Sequence, residues 1–388
     1  MLKSLVIKNF RSLADFEVSK LGRVNLIVGK NNSGKSSVLE ALRIYAGNAQ
    51  RALLETISAE HGEKYRIREN EQSEPDTPLP FQDYFIGRKF PVDDLTVIDI
   101  GSVSDEEYDI LSIRHAFLEE TEEHITSEMG EISTRVRRRM VLRSELPDLQ
   151  SEVRQALLIT KGDKAYPPFI LDSSSQRFRP PMFDAINTIP CSMIPTQFVS
   201  LDELADEWDK IVFTEHEEVV RQAMRIIAPE FENLTFVRNE DERPGGYRST
   251  IRRSAKVKLS DLSRPVPLNS LGDGMLRVLQ LALKIFPAKG GFLLIDEFEN
   301  GLHYSVQEKI WALLFEMAQK LDIQVFATTH SWDCIESFSK IATSNTSSQG
   351  VLFRIGKSAK ASDRGRVIAT VFDESELQTI TQADMEIR

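Results

Sequence analysis

Apolar residues along this chain are arranged in two ways. In some stretches they run almost without interruption, as in VNLIV (24–28), FLLI (292–295) and IQVFA (323–327). Such runs predict strands buried on both faces, as in a parallel sheet covered by helices. In others they recur at helical spacing. Ser36 to Tyr45 carries Val38, Leu42 and Tyr45 on one side, and VQEKIWALLFEMAQKL carries Val306, Ile310, Leu314 and Met317, which predicts amphipathic helices. The strand–helix–strand succession from 291 to 330 predicts parallel strands joined by a crossover helix. LKSLVIKNF adds an early strand, Glu215 to Ile227 a helix, and NLTFVR, STIRRSAKVKL, VLFRIG and GRVIATVF further strands.

The middle is different. From about residue 47 to 200 the chain is polar, charge-rich and broken by proline segments such as NEQSEPDTPLP and YPPFILDSSSQRFRPP. This stretch reads as an α+β insertion with its own elements. The expected division is 1–46 as the first part of one domain, 47–210 as the insertion, and 211–388 as the return to that domain.

Composition narrows the class. Hydrophobic residues are 41% and charged residues 28% of 388, enough apolar material for a core and too much for general disorder. The net charge of −11 makes the surface as a whole repel nucleic acid, so any duplex binding needs local basic patches. The two cysteines, Cys191 and Cys334, offer no disulfide framework. No signal-peptide pattern opens the chain, and no stretch has the roughly 18 apolar residues of a membrane span. A cytoplasmic protein without membrane attachment is expected.

The chemistry begins where a strand becomes a helix. GKNNSGKS (29–36) fits the P-loop pattern, between the apolar run VNLIV and the helix that follows. Gly29 and Gly34 permit backbone conformations in which N–H groups of Asn31, Asn32, Ser33 and the following residues through Ser37 turn toward phosphate. Lys35 is placed to reach the outer phosphates of ATP, and the Ser36 hydroxyl to ligate Mg²⁺. FLLIDE delivers Asp296 and Glu297 to the C-terminal end of a buried strand, where ligands sit in parallel sheets. Asp296 is the expected second Mg²⁺ ligand and Glu297 the base for the attacking water. His330 ends the neighbouring strand in TTHS, near enough to be expected at the γ-phosphate. SLGDGM runs a glycine loop straight into a helix, with Gly272, Asp273 and Gly274 at its start. A second phosphate-suited helix N-terminus on a chain that already has a P-loop suggests service to the nucleotide of another copy.

Taken in order, GKNNSGKS, LGDGM, FLLIDE, ENGLH and His330 resemble the Walker A, signature, Walker B, D-loop and switch motifs of ABC ATPases. IKNFRS, the large insertion and IDEFENGLH resemble the RecF/SMC-like branch, and within it the ATPase part of OLD-family (overcoming lysogenization defect) proteins. The resemblance implies an α/β P-loop NTPase with an ABC-type head and a mixed sheet. Two heads would close head to tail around ATP as a homodimer or higher homo-oligomer. It also implies that Arg11 in NFRS approaches the nucleotide and that Gly272 to Gly274 face the partner's γ-phosphate. The usual signature serine is replaced by Gly272, leaving backbone N–H groups for that contact. Gln82 in PFQDYF is the candidate for the metal-contacting glutamine of such heads. Residues 331–388 are too few for the Toprim nuclease of OLD proteins, so a separately encoded nuclease or effector, in DNA repair or phage defence, is the expected partner. The alternative is a slow or non-hydrolysing scaffold clamped by nucleotide.

One feature of the insertion stands apart. In ISTRVRRRMVLR, strand alternation places Ile132, Val136, Met140 and Leu142 on one face and Arg135, Arg137, Arg139 and Arg143 on the other. Guanidiniums spaced by about 7 Å can track duplex DNA phosphates. They can equally pair with the acids of EETEEHITSEMGE just before them, and that reading is favoured.

Overall fold

A computed structural model describes residues 1–63, 81–103, 108–126, 132–148, 153–171, 188–239, 252–344, 350–358 and 365–372, with Lys360, Asp363, Glu376 and Leu377. The segment NEQSEPDTPLP, residues 127–131 at the end of EETEEHITSEMGE and the C-terminal ADMEIR lie outside the described residues.

The three uninterrupted apolar runs become neighbouring strands of one six-stranded sheet. Its order is β10 (Cys191–Ile194), β14 (Phe292–Ile295), β15 (Gln324–Thr329), β3 (Val24–Val28), β16 (Gly350–Lys357) and β17 (Val367–Phe372). All neighbours pair parallel except the last, where β17 runs antiparallel to β16. Alternation divides the strand side chains between two cores. Leu26, Leu293, Ile295 and Val325 face the helices α5 (Asp273–Lys284), α6 (Tyr304–Lys320) and α7 (Trp332–Ser344). There Trp311 stacks on Phe298 at 3.8 Å, and both are fully buried. Ile27, Leu294, Phe326 and Phe353 face the other way, onto Val38, Leu42 and Tyr45 of α1 (Lys35–Ala46). Truncating an aromatic anchor in either layer costs about 3–5 kcal/mol.

A second sheet of eight strands covers the α1 side. Along it run β2 (Leu13–Val18), β1 (Leu5–Phe10), β4 (Ile98–Val103), β5 (Tyr108–Thr126), β7 (Val153–Lys161) and β8 (Lys164–Ala165), with β6 (Ile132–Val141) on β5 and β9 (Phe169–Ile170) on β7. Every pairing in it is antiparallel. A three-stranded antiparallel sheet of β11 (Phe231–Asn239), β12 (Arg252–Leu259) and β13 (Val266–Pro267) packs with α3 (Leu201–Ile211) and α4 (Glu215–Arg225) near α5. A further helix, α2 (Arg51–Glu60), follows α1. The architecture is thus an α/β head with a mixed sheet and an antiparallel addition.

Two expectations change. The division at residue 210 does not follow the sheets: β10 is already a strand of the parallel sheet, and α3 buries Leu204 and Trp208 with α5. Four residues between Pro190 and Pro195 are too few to carry a periodic signal. Likewise β1, assigned to the head, pairs with β4 of the supposed insertion.

The arginine stripe keeps its favoured reading, pairing with the acids before it, and differs only in its apolar face. Arg138 and Arg139 stand opposite Glu120 and Glu119 in the β5–β6 register, with ion pairs of 2.8 and 3.1 Å. Arg139 also reaches Glu145 at 3.3 Å, and Arg143 pairs with Asp94. The supposed buried face is not buried at its end, since Met140 and Leu142 are exposed. The side chains of Ile132, Arg135 and Val136 lie outside the described residues.

Candidate nucleotide-binding site

The P-loop occupies the turn between β3 and α1. Gly34 caps the helix with φ +101, and Asn32 is also left-handed at φ +61. A Cβ on Gly29 would stand 2.5 Å from the Ile355 carbonyl of β16 and 2.8 Å from the Ser33 hydroxyl, so only glycine fits. The Lys35 ammonium donates to the carbonyls of Gly29 at 2.7 Å and Lys30 at 3.0 Å, folding across the mouth of the loop. Burial lowers its pKa, against the opposing pull of Asp296, Glu297 and Glu299.

Parallel pairing of β3, β15 and β14 brings the acids of the third strand beside the loop of the first. Ser36 Oγ lies 3.3 and 3.4 Å from the two Asp296 oxygens. Two hard oxygen donors at the edge of a phosphate loop fit Mg²⁺, which takes one or two protein oxygens beside phosphate and water. The Asp296 carboxylate is oriented by Thr328 Oγ1 at 2.6 Å and Thr196 Oγ1 at 3.1 Å. Thr328 Oγ1 also accepts from the Glu297 N–H at 2.8 Å. Glu297 itself sits at φ +48, a sparsely populated region for a residue with a side chain. His330 Nδ1 lies 3.0 Å from Glu299 and 3.8 Å from Glu297. It lines a separate, smaller hollow with Gly29, Lys30 and Asn31 and does not line the main cleft.

Sequence reading missed the support behind these acids. Arg277 of α5 is fully buried and donates to the carbonyls of Pro195, Asp296 and Glu297, each at 2.8 Å. Burial pulls its pKa down to about 10, with Asp296, Glu299 and Glu297 opposing. Asn300 adds a 2.5 Å bond to the Thr196 carbonyl. Neither arginine nor threonine carries a motif here. The one signal was an arginine on the buried side of a helix otherwise built from Met275, Val278, Leu279 and Ala282.

The cleft in front of the loop has a volume of about 710 Å³ and is lined by residues 31–37, Arg11, Ser12, Glu40, His61, Gly87, Arg88, Asp296 and Glu297. Arg11 thus lines it as expected, but its guanidinium is engaged. It reaches Glu40 at 2.6 Å and Glu63 at 2.9 Å, with its side chain only 9% exposed. Burial works against its charge, and the two glutamates outweigh burial and raise its pKa. Glu40 also holds His61 Nε2 at 2.5 Å, and that bond raises the imidazole pKa.

Two expected site groups stand outside this cleft. Gln82 belongs to a short 3₁₀ turn, Gln82–Tyr84, and does not line it, so the structure does not bring it to Ser36 and Asp296. Its turn instead anchors aromatic side chains: Tyr84 is buried and stacks on Phe81. Gly272, Asp273 and Gly274 also lie off the cleft, at the N-terminus of α5 with Gly272 at φ +90. A Cβ on Gly274 would stand 3.1 Å from the Gly301 carbonyl, so the signature-like loop packs on the ENGLH turn.

A P-loop, an acidic strand end held by threonines, and a mixed sheet of this order define a P-loop ATPase with an ABC-like head. The comparisons with known proteins agree on the ATPase. Residues 1–138 match the family described as AAA ATPase domain, and residues 209–333 match AAA domain, putative AbiEii toxin, Type IV TA system. An ATP/GTP phosphatase of Helicobacter pylori is 23% identical over 357 residues, 88% of each chain. The DNA double-strand break repair Rad50 ATPase of Archaeoglobus fulgidus is 50% identical over 44 residues, 11% of this chain and 5% of that one. Among solved structures, the SMC head domain from Thermotoga maritima is 13% identical, covers 96% of this chain and 99% of its own, and gives a TM-score of 0.42. The Smc head domain with an extended coiled coil, bound to the C-terminal domain of ScpA derived from Pyrococcus furiosus, is 11% identical with 99% of each chain covered and a TM-score of 0.47. No helix among the described residues is long and apolar enough to cross a membrane.

Proposed function

We propose that this chain hydrolyses ATP to ADP and phosphate between two engaged heads, as the ATPase of a defence or repair system whose effector is a separate protein. The observation that carries the hydrolytic part is Glu297, held at φ +48 beside Asp296 and Ser36 at the mouth of the P-loop. The triphosphate would lie along the N–H groups of residues 31–37, its charge balanced by Lys35 and the N-terminus of α1. Mg²⁺, held by Ser36 and Asp296, would neutralise charge on the outer phosphates. Glu297 would take the proton of the attacking water, while its carbonyl and backbone N–H stay fixed by Arg277 and Thr328. His330 would contact the γ-phosphate from the side of Gly29.

Head engagement is supported by the outward position of Gly272 to Gly274, off the chain's own cleft yet at a helix N-terminus. The defence reading draws on the AbiEii toxin family matched by residues 209–333, and phosphatase activity on the Helicobacter pylori relative. A Toprim-like nuclease as the separate effector rests on the OLD resemblance. Duplex DNA is not favoured as a partner of the arginine stripe, because Arg139 and Arg143 are paired within the fold.

Glu297→Gln keeps the Mg²⁺ and phosphate contacts and removes the base. Turnover should fall by about 10²–10⁴-fold while ATP binding persists and an ATP-loaded dimer accumulates in light scattering. Turnover at the native rate would remove Glu297 from this role. Asp273→Arg, at an exposed position of the same loop, should leave ATP binding intact and abolish ATP-dependent dimerisation, and a native dimer in that variant would remove the composite site.

A further inference from the structure

The cleft continues past the phosphate loop onto a bank with no role in the chemistry above. His61 at the C-terminal cap of α2, and Gly87 and Arg88 in the turn after Phe85, form its floor and rim. That turn is tightly held from behind. The Tyr84 hydroxyl donates to the Leu54 carbonyl at 2.6 Å, its ring stacks on Phe10 at 6.0 Å, and Phe85 bridges to the backbone of Phe10. Gly87 and Arg88 are both left-handed, at φ +73 and +57. An arginine kept in that region is backbone strain that the surrounding structure enforces. Its side chain is 72% exposed and stands 3.8 Å from Asp83, beyond hydrogen-bonding distance. In the same lining, Glu40 fixes the edge of the His61 ring at 2.5 Å. No phenyl, phenol or indole ring is among the described residues lining the cleft. The flat groups it offers are the guanidiniums of Arg11 and Arg88 and the His61 imidazole, and of the two arginines Arg11 is already held by Glu40 and Glu63.

We propose that this bank is the nucleoside subsite, with the Arg88 guanidinium stacked on the face of the purine and the His61 ring alongside it. A planar, weakly hydrated guanidinium can lie flat on a π-system, which an ammonium meets only as a strongly hydrated point charge. Stacking reads only the face of a base, and every base has one. The subsite therefore takes purine nucleoside triphosphates with little preference between adenine and guanine. This rests on the nucleotide-site reading above and adds to it what holds the base.

The test compares binding of ATP, GTP and inorganic tripolyphosphate, each with Mg²⁺, to the native chain and to Arg88→Ala, Arg88→Lys and Arg88→Trp. Arg88 is exposed, so none of these should disturb folding. Arg88→Ala should weaken ATP and GTP alike by about 2- to 30-fold and leave tripolyphosphate unchanged. Arg88→Lys should fail to restore affinity, and Arg88→Trp should restore it. Unchanged ATP affinity in Arg88→Ala overturns the subsite. An equal loss for tripolyphosphate, or full rescue by lysine, makes Arg88 a phosphate contact and overturns the stacking. Native chain that binds neither nucleotide nor tripolyphosphate would instead sink the nucleotide site itself, before any Arg88 variant is compared.

Discussion

The parallel and antiparallel sheets of this head handle charge in opposite ways. In β3, β14 and β15 of the parallel sheet every side chain is buried and none is charged, and charge begins beyond their C-terminal ends. Asp296, Glu297 and His330 gather there because strands that run the same way end on the same edge. In the antiparallel sheet, charge is spread along the strands, and β5 and β6 answer glutamate with arginine across the register. Concentrated charge at a sheet edge makes a site. Charge distributed and paired along a ladder makes a surface. The turn between β1 and β2 of the antiparallel sheet delivers Arg11 and Ser12 to the cleft of the parallel one.

The sharpest way to break the parallel half is Arg277. Arg277→Ala leaves the carbonyls of Pro195, Asp296 and Glu297 buried without their donor. The loss should be about 3–5 kcal/mol in denaturant unfolding. Arg277→Lys cannot span three carbonyls and should recover stability only in part. In whatever fraction stays folded, turnover should fall more than ATP affinity, because the P-loop is untouched. Equal losses in both would mean that Arg277 supports the whole head and not the acids.

How much of this was legible in the sequence follows the same contrast. VNLIV, FLLI and IQVFA could be read as parallel strands because no polar residue interrupts burial on both faces, and GKNNSGKS and IDE follow them directly. The arginine and threonines behind the acids were invisible, since one buried arginine in a helix has no spacing to mark it. The limits of the middle stretch leave no mark in the sequence, because β10 is four residues long and because β1 ends at Phe10 and β4 begins only at Ile98, yet the two are adjacent in the sheet. Antiparallel pairing at such separation leaves no local trace. Gln82 was chosen for its residue type, and the aromatic contacts of Tyr84 and Phe85 decide where its turn goes.

The antiparallel half should break with acid. His115 of β5 is 4% exposed, stacked on Phe90 at 3.9 Å, and its pKa is lowered to about 4 by burial. Its Nδ1 faces Arg143 at 2.7 Å and its Nε2 faces Gln155 at 3.0 Å, contacts that suit a neutral ring. An unfolded histidine binds its proton near pH 6.5, so between there and pH 4 the unfolded chain holds more protons than the folded one. The stability from neutral burial is complete above pH 6.5 and is lost as pH falls through that window, by about 3 kcal/mol in all. Hydrogen exchange of β5 and β7 should accelerate over this range while β3 and β15 hold their protection. His115→Gln should flatten that dependence. Uniform loosening of both sheets would mean that acid acts elsewhere.

The smallest effect is reserved for the arginines of β6, where the contrast is most easily overstated. Arg138 and Arg139 are 37% and 57% exposed, and exposed ion pairs contribute about 0–1 kcal/mol each. Replacing both with glutamate should therefore cost about 1–2 kcal/mol, mostly from new repulsion with Glu119 and Glu120. Turnover and ATP-dependent dimerisation should be unchanged, since neither side chain lines the cleft. If the pairing is their whole role, any duplex binding by the native chain should keep its salt dependence in the variant. A slope shallower by about two phosphate contacts, roughly 0.9 each, would show that these arginines reach DNA despite their partners. The distributed charge of the antiparallel sheet would then be a second site and not only a surface.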